Sequence, residues 1–144
     1  MTNKKFKDFS LLPQILSNLE KVKYESATPI QEQAIPLLIE NKDLIGCAQT
    51  GTGKTAAFAL PLIQKLVTGK KSASAKNTLA LILTPTRELA VQIYDNIKIY
   101  SEGLHLKLGI AYGGVSINPQ IRVLSGGVDI LVATPGRLLD LMQQ

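Results

Sequence analysis

Apolar positions along this chain follow two alternating patterns, and the alternation predicts the architecture. Leu12, Ile15, Leu16, Leu19 and Val22 recur at helical spacing, which predicts a helix over residues 11–22 with Pro13 in its first turn. A second helix is predicted from Thr28 to Ile39, with Thr28 as N-cap, Pro29 as first helical residue and a bend at Pro36. Leu44-Ile45-Gly46-Cys47 is a short apolar run that reads as a strand. A helix from Lys54 to Val67 follows, apolar on most faces and therefore buried, with a kink at Pro61. Gly69 to Asn77 is small, polar and basic, hence a surface loop. Thr78 to Thr84 reads as a fully buried strand, followed by a helix ending near Tyr100. Leu106 to Tyr112 reads as another inner strand, Ile117 to Leu124 as a helix capped by Ser116, and Val128 to Ala133 as a fourth strand before a last helix.

Strands alternating with helices, three of them continuously apolar, predict a parallel α/β sheet with helices on its faces. In such sheets ligands bind beyond the carboxyl ends of the strands. At 144 residues the chain has the length of one domain, and 45% apolar with 19% charged residues is the composition of a soluble globular protein. No run approaches the ~20 apolar residues of a membrane helix, and Met1 to Asp8 lacks the apolar segment of a signal peptide. The one cysteine, Cys47, cannot close an internal disulfide and is expected to be a packed, inert thiol in a reducing compartment. A net charge of +5 suits a polyanionic partner. The clusters Lys4, Lys5, Lys7 and Lys70, Lys71, Lys76 read as solvated surface.

The densest chemistry lies in Ala48-Gln49-Thr50-Gly51-Thr52-Gly53-Lys54-Thr55. A predicted strand precedes this glycine-rich turn and a predicted helix follows it, the context of a phosphate-binding loop. Gly51 and Gly53 permit positive φ, so successive N–H groups can converge on phosphate oxygens at the helix start. Lys54 then reaches the β- and γ-phosphates, and the Thr55 hydroxyl meets Mg²⁺. The usual pattern opens on glycine where this chain has Ala48. By itself the loop says that the chain binds a nucleoside triphosphate.

Other residues extend this reading. Gln31 falls three residues after Thr28, so the pair forms a capping box; equally, one glutamine amide can bond N6 and N7 of adenine together. Sequence physics leaves the two readings even. Thr86 and Thr134 look like N-caps, each followed within three residues by an arginine, Arg87 and Arg137. A helix start beside a guanidinium is a phosphate site. Gly113-Gly114 adds a backbone surface with no side chain in the way of a sugar-phosphate. Several such sites along one sheet edge suit a nucleic-acid backbone and supply no base readout, so binding is expected to be largely sequence-independent.

Taken together, these motifs resemble the first RecA-like lobe of a DEAD-box RNA helicase over nearly the whole chain. The resemblance makes 1–144 a partial ATP-binding lobe, with 1–40 as its glutamine-motif region and 41–144 as its P-loop α/β core, incomplete within a two-lobe helicase. The family loop has alanine at the Ala48 position. Lys23 to Gln31 resembles the family's glutamine motif, and Phe6, 17 residues before Lys23, its upstream aromatic. The resemblance implies that Phe6 stacks on adenine, Gln31 reads it, Tyr24 and Thr28 support the pocket, and Ala48 to Thr55 bind the phosphates of ATP, ADP or AMP with Mg²⁺. Lys54 and Thr55 are the implied catalytic residues. Pro85, Thr86, Arg87, Gly113, Gly114, Thr134, Pro135, Gly136 and Arg137 are implied to line the RNA path.

Two departures stand out. Lys23 and Ala27 occupy positions where the family has glycine and proline, and a non-glycine residue in a left-handed helix end costs on the order of 1 kcal/mol. The chain also contains no Asp-Glu pair, so the acidic motif that names the family is missing, as are its Ser-Ala-Thr motif and second lobe with the arginine finger. The expectation is a cytoplasmic helicase piece that binds adenine nucleotide and part of an RNA backbone without hydrolysis or unwinding, and that self-associates through an exposed sheet edge. Two other classes fit the loop: a different P-loop NTPase such as a small-molecule kinase, and a non-catalytic RNA-binding module.

Overall fold

The computed structural model describes residues 4–144. The chain packs as two compact units, one running to Gly69 and including Ile99–Leu104, the other comprising Lys70–Lys98 and His105–Gln144.

The first unit is helical. A 3-10 turn, Phe6–Phe9, precedes α1 (Pro13–Lys21), α2 (Pro29–Ile39) and α3 (Lys54–Gly69). Its core is Ile15, Leu19, Ile35, Leu60 and Ile63, each almost wholly buried. Polar side chains fix the connections. The Gln64 amide of α3 accepts from the Leu12 N–H and donates to the Ser10 carbonyl, both at 2.8 Å. Buried Asn18 of α1 donates to the carbonyls of Tyr100 and Glu102, at 2.9 Å each. At the end of α1 the Lys23 N–H bonds the Glu20 carbonyl and the Tyr24 N–H bonds that of Leu19, with Lys23 at φ +61°. This is a Schellman motif with lysine at the left-handed position that favours glycine.

The second unit holds a parallel sheet of β1 (Thr78–Leu83), β2 (Leu108–Ala111) and β3 (Val128–Ala133), in the order β1-β3-β2. Three helices join it: α4 (Arg87–Tyr100, whose last residues belong to the first unit), α5 (Asn118–Ser125) and α6 (Pro135–Met142). Leu124, Leu138 and Leu141 pack on a core of Ala111, Val128, Leu131 and Ala133. Asp129 is a carboxylate inside this otherwise apolar central strand. It accepts from the N–H groups of Ala73 (2.9 Å) and Lys107 (2.8 Å), so its charge is met by two backbone donors.

Three expectations are corrected. The sheet of the described residues has three strands, because Leu44–Cys47 forms none: Ile45 is 96% exposed and Cys47 is exposed too, not packed. A strand persists only where a neighbour takes its N–H and C=O groups, and apolar character alone does not supply one. Only β3 is buried along its whole length; β1, at an edge of the sheet, alternates half-buried and exposed residues as successive side chains turn to opposite faces. The expected strand over Leu106–Tyr112 shortens to four residues, its register ending where Ala111 meets Ala133.

Candidate nucleotide site and nucleic-acid interface

The first unit carries the phosphate loop. Gly51 and Gly53 sit at φ +81° and +83°, and α3 starts at Lys54, so its first N–H groups have no acceptor within the helix. A Cβ on Gly51 would meet nothing within 4 Å, whereas one on Gly53 would overlap the Gln31 amide. The Thr52 hydroxyl donates to the Gln49 carbonyl at 2.6 Å, and Lys54 Nζ donates to the Ala48 carbonyl at 2.8 Å. The lysine thus closes over the loop and holds a carbonyl where a phosphate oxygen would compete for it. Gln49, Thr50, Gly51 and Lys54 are exposed; Ala48, Thr52, Gly53 and Thr55 are half-buried.

The capping box forms as drawn from the sequence. Thr28 Oγ1 accepts from the Gln31 N–H at 3.5 Å, and Gln31 Oε1 accepts from the Thr28 N–H at 2.9 Å. The amide goes further: Gln31 Nε2 donates to the Gly53 carbonyl at 3.1 Å, tying the start of α2 to the phosphate loop. One amide hydrogen and one lone pair on Oε1 remain, the set adenine needs. Gln31 is only 2% exposed, so a base reaches that amide only when the surrounding wall opens.

Phe6 is likewise placed inward. It is 3% exposed, with the Tyr24 ring stacked on it at 6.3 Å and Phe9 tilted against it at 6.1 Å. The implied open stacking face is therefore covered. A depression of about 460 Å³ lies beside this pair, lined by Phe6, Leu16, Leu19, Lys23, Tyr24 and Glu25 among others, without Gln31 or the loop. Tyr24 also contacts Tyr100, whose phenol is pushed above its ordinary value by burial and by its bond with Tyr24. Lys5 Nζ bonds Glu25 at 2.6 Å, which raises the lysine and lowers the carboxyl.

The second unit carries the implied nucleic-acid contacts. Leu83, Ala133 and Ala111 are in register at the carboxyl ends of three parallel strands, so residues 84–87, 112–115 and 134–137 leave the sheet along one edge. Pro85, Thr86, Arg87, Gly113, Gly114, Pro135 and Gly136 are exposed there. Thr86 caps α4, accepting the Leu89 N–H at 3.2 Å. Thr134 does not act as expected: it holds the N-cap position without a side-chain cap bond, and its N–H goes to the Ala111 carbonyl. Arg87 lies 4.8 Å over the Tyr112 ring. Arg137 departs furthest from expectation. Its side chain is 10% exposed, donates to Gln120 Oε1 (2.9 Å) and to the Val115 carbonyl (2.8 Å), and lies 3.8 Å from Asp140. It is turned into the protein, held there by those two acceptors.

The sequence model of the DEAD/DEAH box helicases matches residues 28–144. The chain belongs to the DEAD/DEAH box helicase family. Curated relatives include ATP-dependent RNA helicase RhlB of Shigella dysenteriae, 47% identical over all of this chain, and that of Serratia proteamaculans, 46% identical. The chain spans 35% and 34% of their respective lengths. Among solved structures, a DEAD box protein from Methanococcus jannaschii matches 96% of the chain at 40% identity and a TM-score of 0.84, with 37% of that protein covered. A hypothetical ATP-dependent RNA helicase from Sulfolobus tokodaii matches 90% at 35% identity and a TM-score of 0.78, with 36% of it covered. The fold is thus that of a DEAD-box RecA-like domain, represented here in part.

For a DEAD-box chain, the loop suits nucleotide phosphates: two positive-φ glycines, a helix start and a lysine converge on it. For a divalent cation the set is thin. Thr55 offers one hydroxyl, and no cluster of three or more His, Cys, Asp or Glu exists among the described residues. Mg²⁺ would be held there mainly by phosphates and water, its usual habit. Gln120 and Tyr112 were not legible as functional residues, since neither sits in a motif and their partners are distant in sequence. No helix among the described residues is long and apolar enough to cross a membrane.

Proposed function

We propose that this chain is the nucleotide-binding part, with part of the RNA path, of an ATP-dependent RNA helicase acting in the cytoplasm. Residues 1–40 form its glutamine-motif region and 41–144 its P-loop core. The observation that carries this reading is the joint hold of Gln31 and Lys54 on the carbonyls of Gly53 and Ala48, at 3.1 and 2.8 Å. These bonds join the base-reading candidate and the phosphate-reading candidate to one loop.

On nucleotide binding, the Lys54 ammonium exchanges the Ala48 carbonyl for phosphate oxygens, and the helix-start N–H groups orient the phosphates. Gln31 keeps Gly53 in place and offers its remaining donor and acceptor to adenine, while Phe6 supplies a stacking face once the Tyr24 ring moves off it, with Tyr24 and Thr28 supporting the pocket. The Thr55 hydroxyl would hold Mg²⁺, which would neutralise phosphate charge. Arg87 and the exposed backbones at Pro85, Thr86, Gly113, Gly114, Thr134, Pro135 and Gly136 bind sugar-phosphate without reading sequence. No Asp-Glu pair exists in the chain to orient an attacking water, so it binds nucleotide without turning it over.

Competition binding of ATP and GTP tests this. ATP is expected to win by about tenfold or more, the worth of one bidentate base contact, and Gln31→Ala to erase that margin. Equal binding of the two by the native chain would favour another P-loop NTPase. RNA binding unchanged in Lys54→Ala, with no nucleotide bound by the native chain, would favour a non-catalytic RNA module. RNA-stimulated turnover by these 144 residues would contradict the stated lack of hydrolysis.

A further inference from the structure

Gln120 lies in α5, is 9% exposed, and belongs to none of the contacts assigned above to nucleotide or RNA. Both ends of its amide are nonetheless bonded at one edge of the sheet. Nε2 donates to the Tyr112 carbonyl at 3.1 Å, and Oε1 accepts from Arg137 Nη1 at 2.9 Å. The orientation of the amide is dictated by its partners, because the reverse placement would set donor against guanidinium and oxygen against carbonyl. Arg137 Nη2 donates in turn to the Val115 carbonyl at 2.8 Å. The two side chains therefore grip the backbone immediately before and immediately after Gly113-Gly114.

A glycine pair has large conformational freedom, and Gly114 stands at φ +82°. Its exposed shape is set by what holds its flanks. The same grip reaches Arg87, which lies over the Tyr112 ring and comes within 3.5 Å of where a Gly114 Cβ would stand. One amide thus links the openings of α4 and α6 through the turn after β2. The helix itself does not depend on it, since Leu124 anchors α5 to the core.

We propose that Gln120 is a positioning residue for RNA binding. It touches no RNA, and it holds the 112–115 turn, with Arg137 as co-anchor, in the shape that accepts a sugar-phosphate backbone and presents Arg87 beside it. This rests on the RNA-path reading given above. The residues differ in role accordingly: Arg137 acts inward through Val115 and Gln120, and Arg87 acts outward.

The test uses the native chain, Gln120→Ala and Gln120→Glu, with single-stranded oligouridine binding followed by fluorescence anisotropy. Gln120→Glu keeps an acceptor for Arg137 at nearly the same volume and loses the donor to Tyr112. Gln120→Glu, which loses one hydrogen bond, is expected to bind RNA about tenfold more weakly, and Gln120→Ala, which loses both, at least as weakly. Their ATP affinity is expected to match the native chain, and both are expected to stay folded, with unfolding midpoints lowered only by the bonds removed. Backbone amides of Gly113–Val115 should exchange with solvent faster in both, with or without RNA. Native RNA affinity in both variants overturns the inference alone. Loss of RNA and ATP binding in parallel in both variants overturns it as well, showing general packing instead of positioning. A native chain that binds no oligouridine overturns the RNA-path reading, and this inference falls with it.

Discussion

At the scale of single residues, Lys23 stands at φ +61° inside a complete Schellman motif, at the position where the resembled family has glycine. The backbone bonds hold the conformation despite the Cβ. Lys23→Gly is accordingly expected to stabilise the chain by about 1 kcal/mol, read as a higher urea midpoint. A lower midpoint would mean that the lysine side chain contributes more than its strain costs. Local chemistry of this kind was legible in the sequence and distant partnerships were not, as Arg137 shows. Its three-residue spacing from Thr134 placed it correctly at a helix start, but spacing says nothing of which way a guanidinium turns. That is decided by the Val115 carbonyl and by Gln120, 22 and 17 residues away. Asp129 lies between: a carboxylate within an apolar strand is visible in the sequence as an anomaly, while its two N–H partners are not.

At the scale of elements, helices were read more faithfully than strands. α1, α2 and α3 follow from spacing, caps and prolines, all of them local. An apolar run marks a strand that can be buried, but whether it is depends on neighbours that the run does not specify. β3 is flanked on both sides and is wholly buried; β1 has equally apolar sequence and is an edge. Residues 44–47 carry the same character and pair with nothing among the described residues. Leu79, Leu81 and Leu83 on β1 are 39%, 45% and 54% exposed, and an exposed apolar edge strand is the kind that pairs with another chain, so we propose self-association here. Sedimentation velocity is expected to show association that grows with protein concentration, and Leu81→Lys to weaken it. A monomer at every concentration would contradict this.

At the scale of the whole molecule, the two compact units divide the proposed work. Phe6, Tyr24, Thr28, Gln31 and the loop up to Thr55 lie in the first; the three backbone-binding turns lie in the second. The chain spans 35% of its Shigella dysenteriae relative, which is named an ATP-dependent RNA helicase. These 144 residues are expected to bind nucleotide on their own through the loop that Lys54 closes. Isothermal titration calorimetry with ATP, on the native chain and on Lys54→Ala, tests that most directly. The account predicts a saturable heat for the native chain and an affinity lower by about tenfold or more in the variant, the loss of a charge-assisted bond to phosphate. No heat from the native chain, or an undiminished affinity in Lys54→Ala, would contradict it.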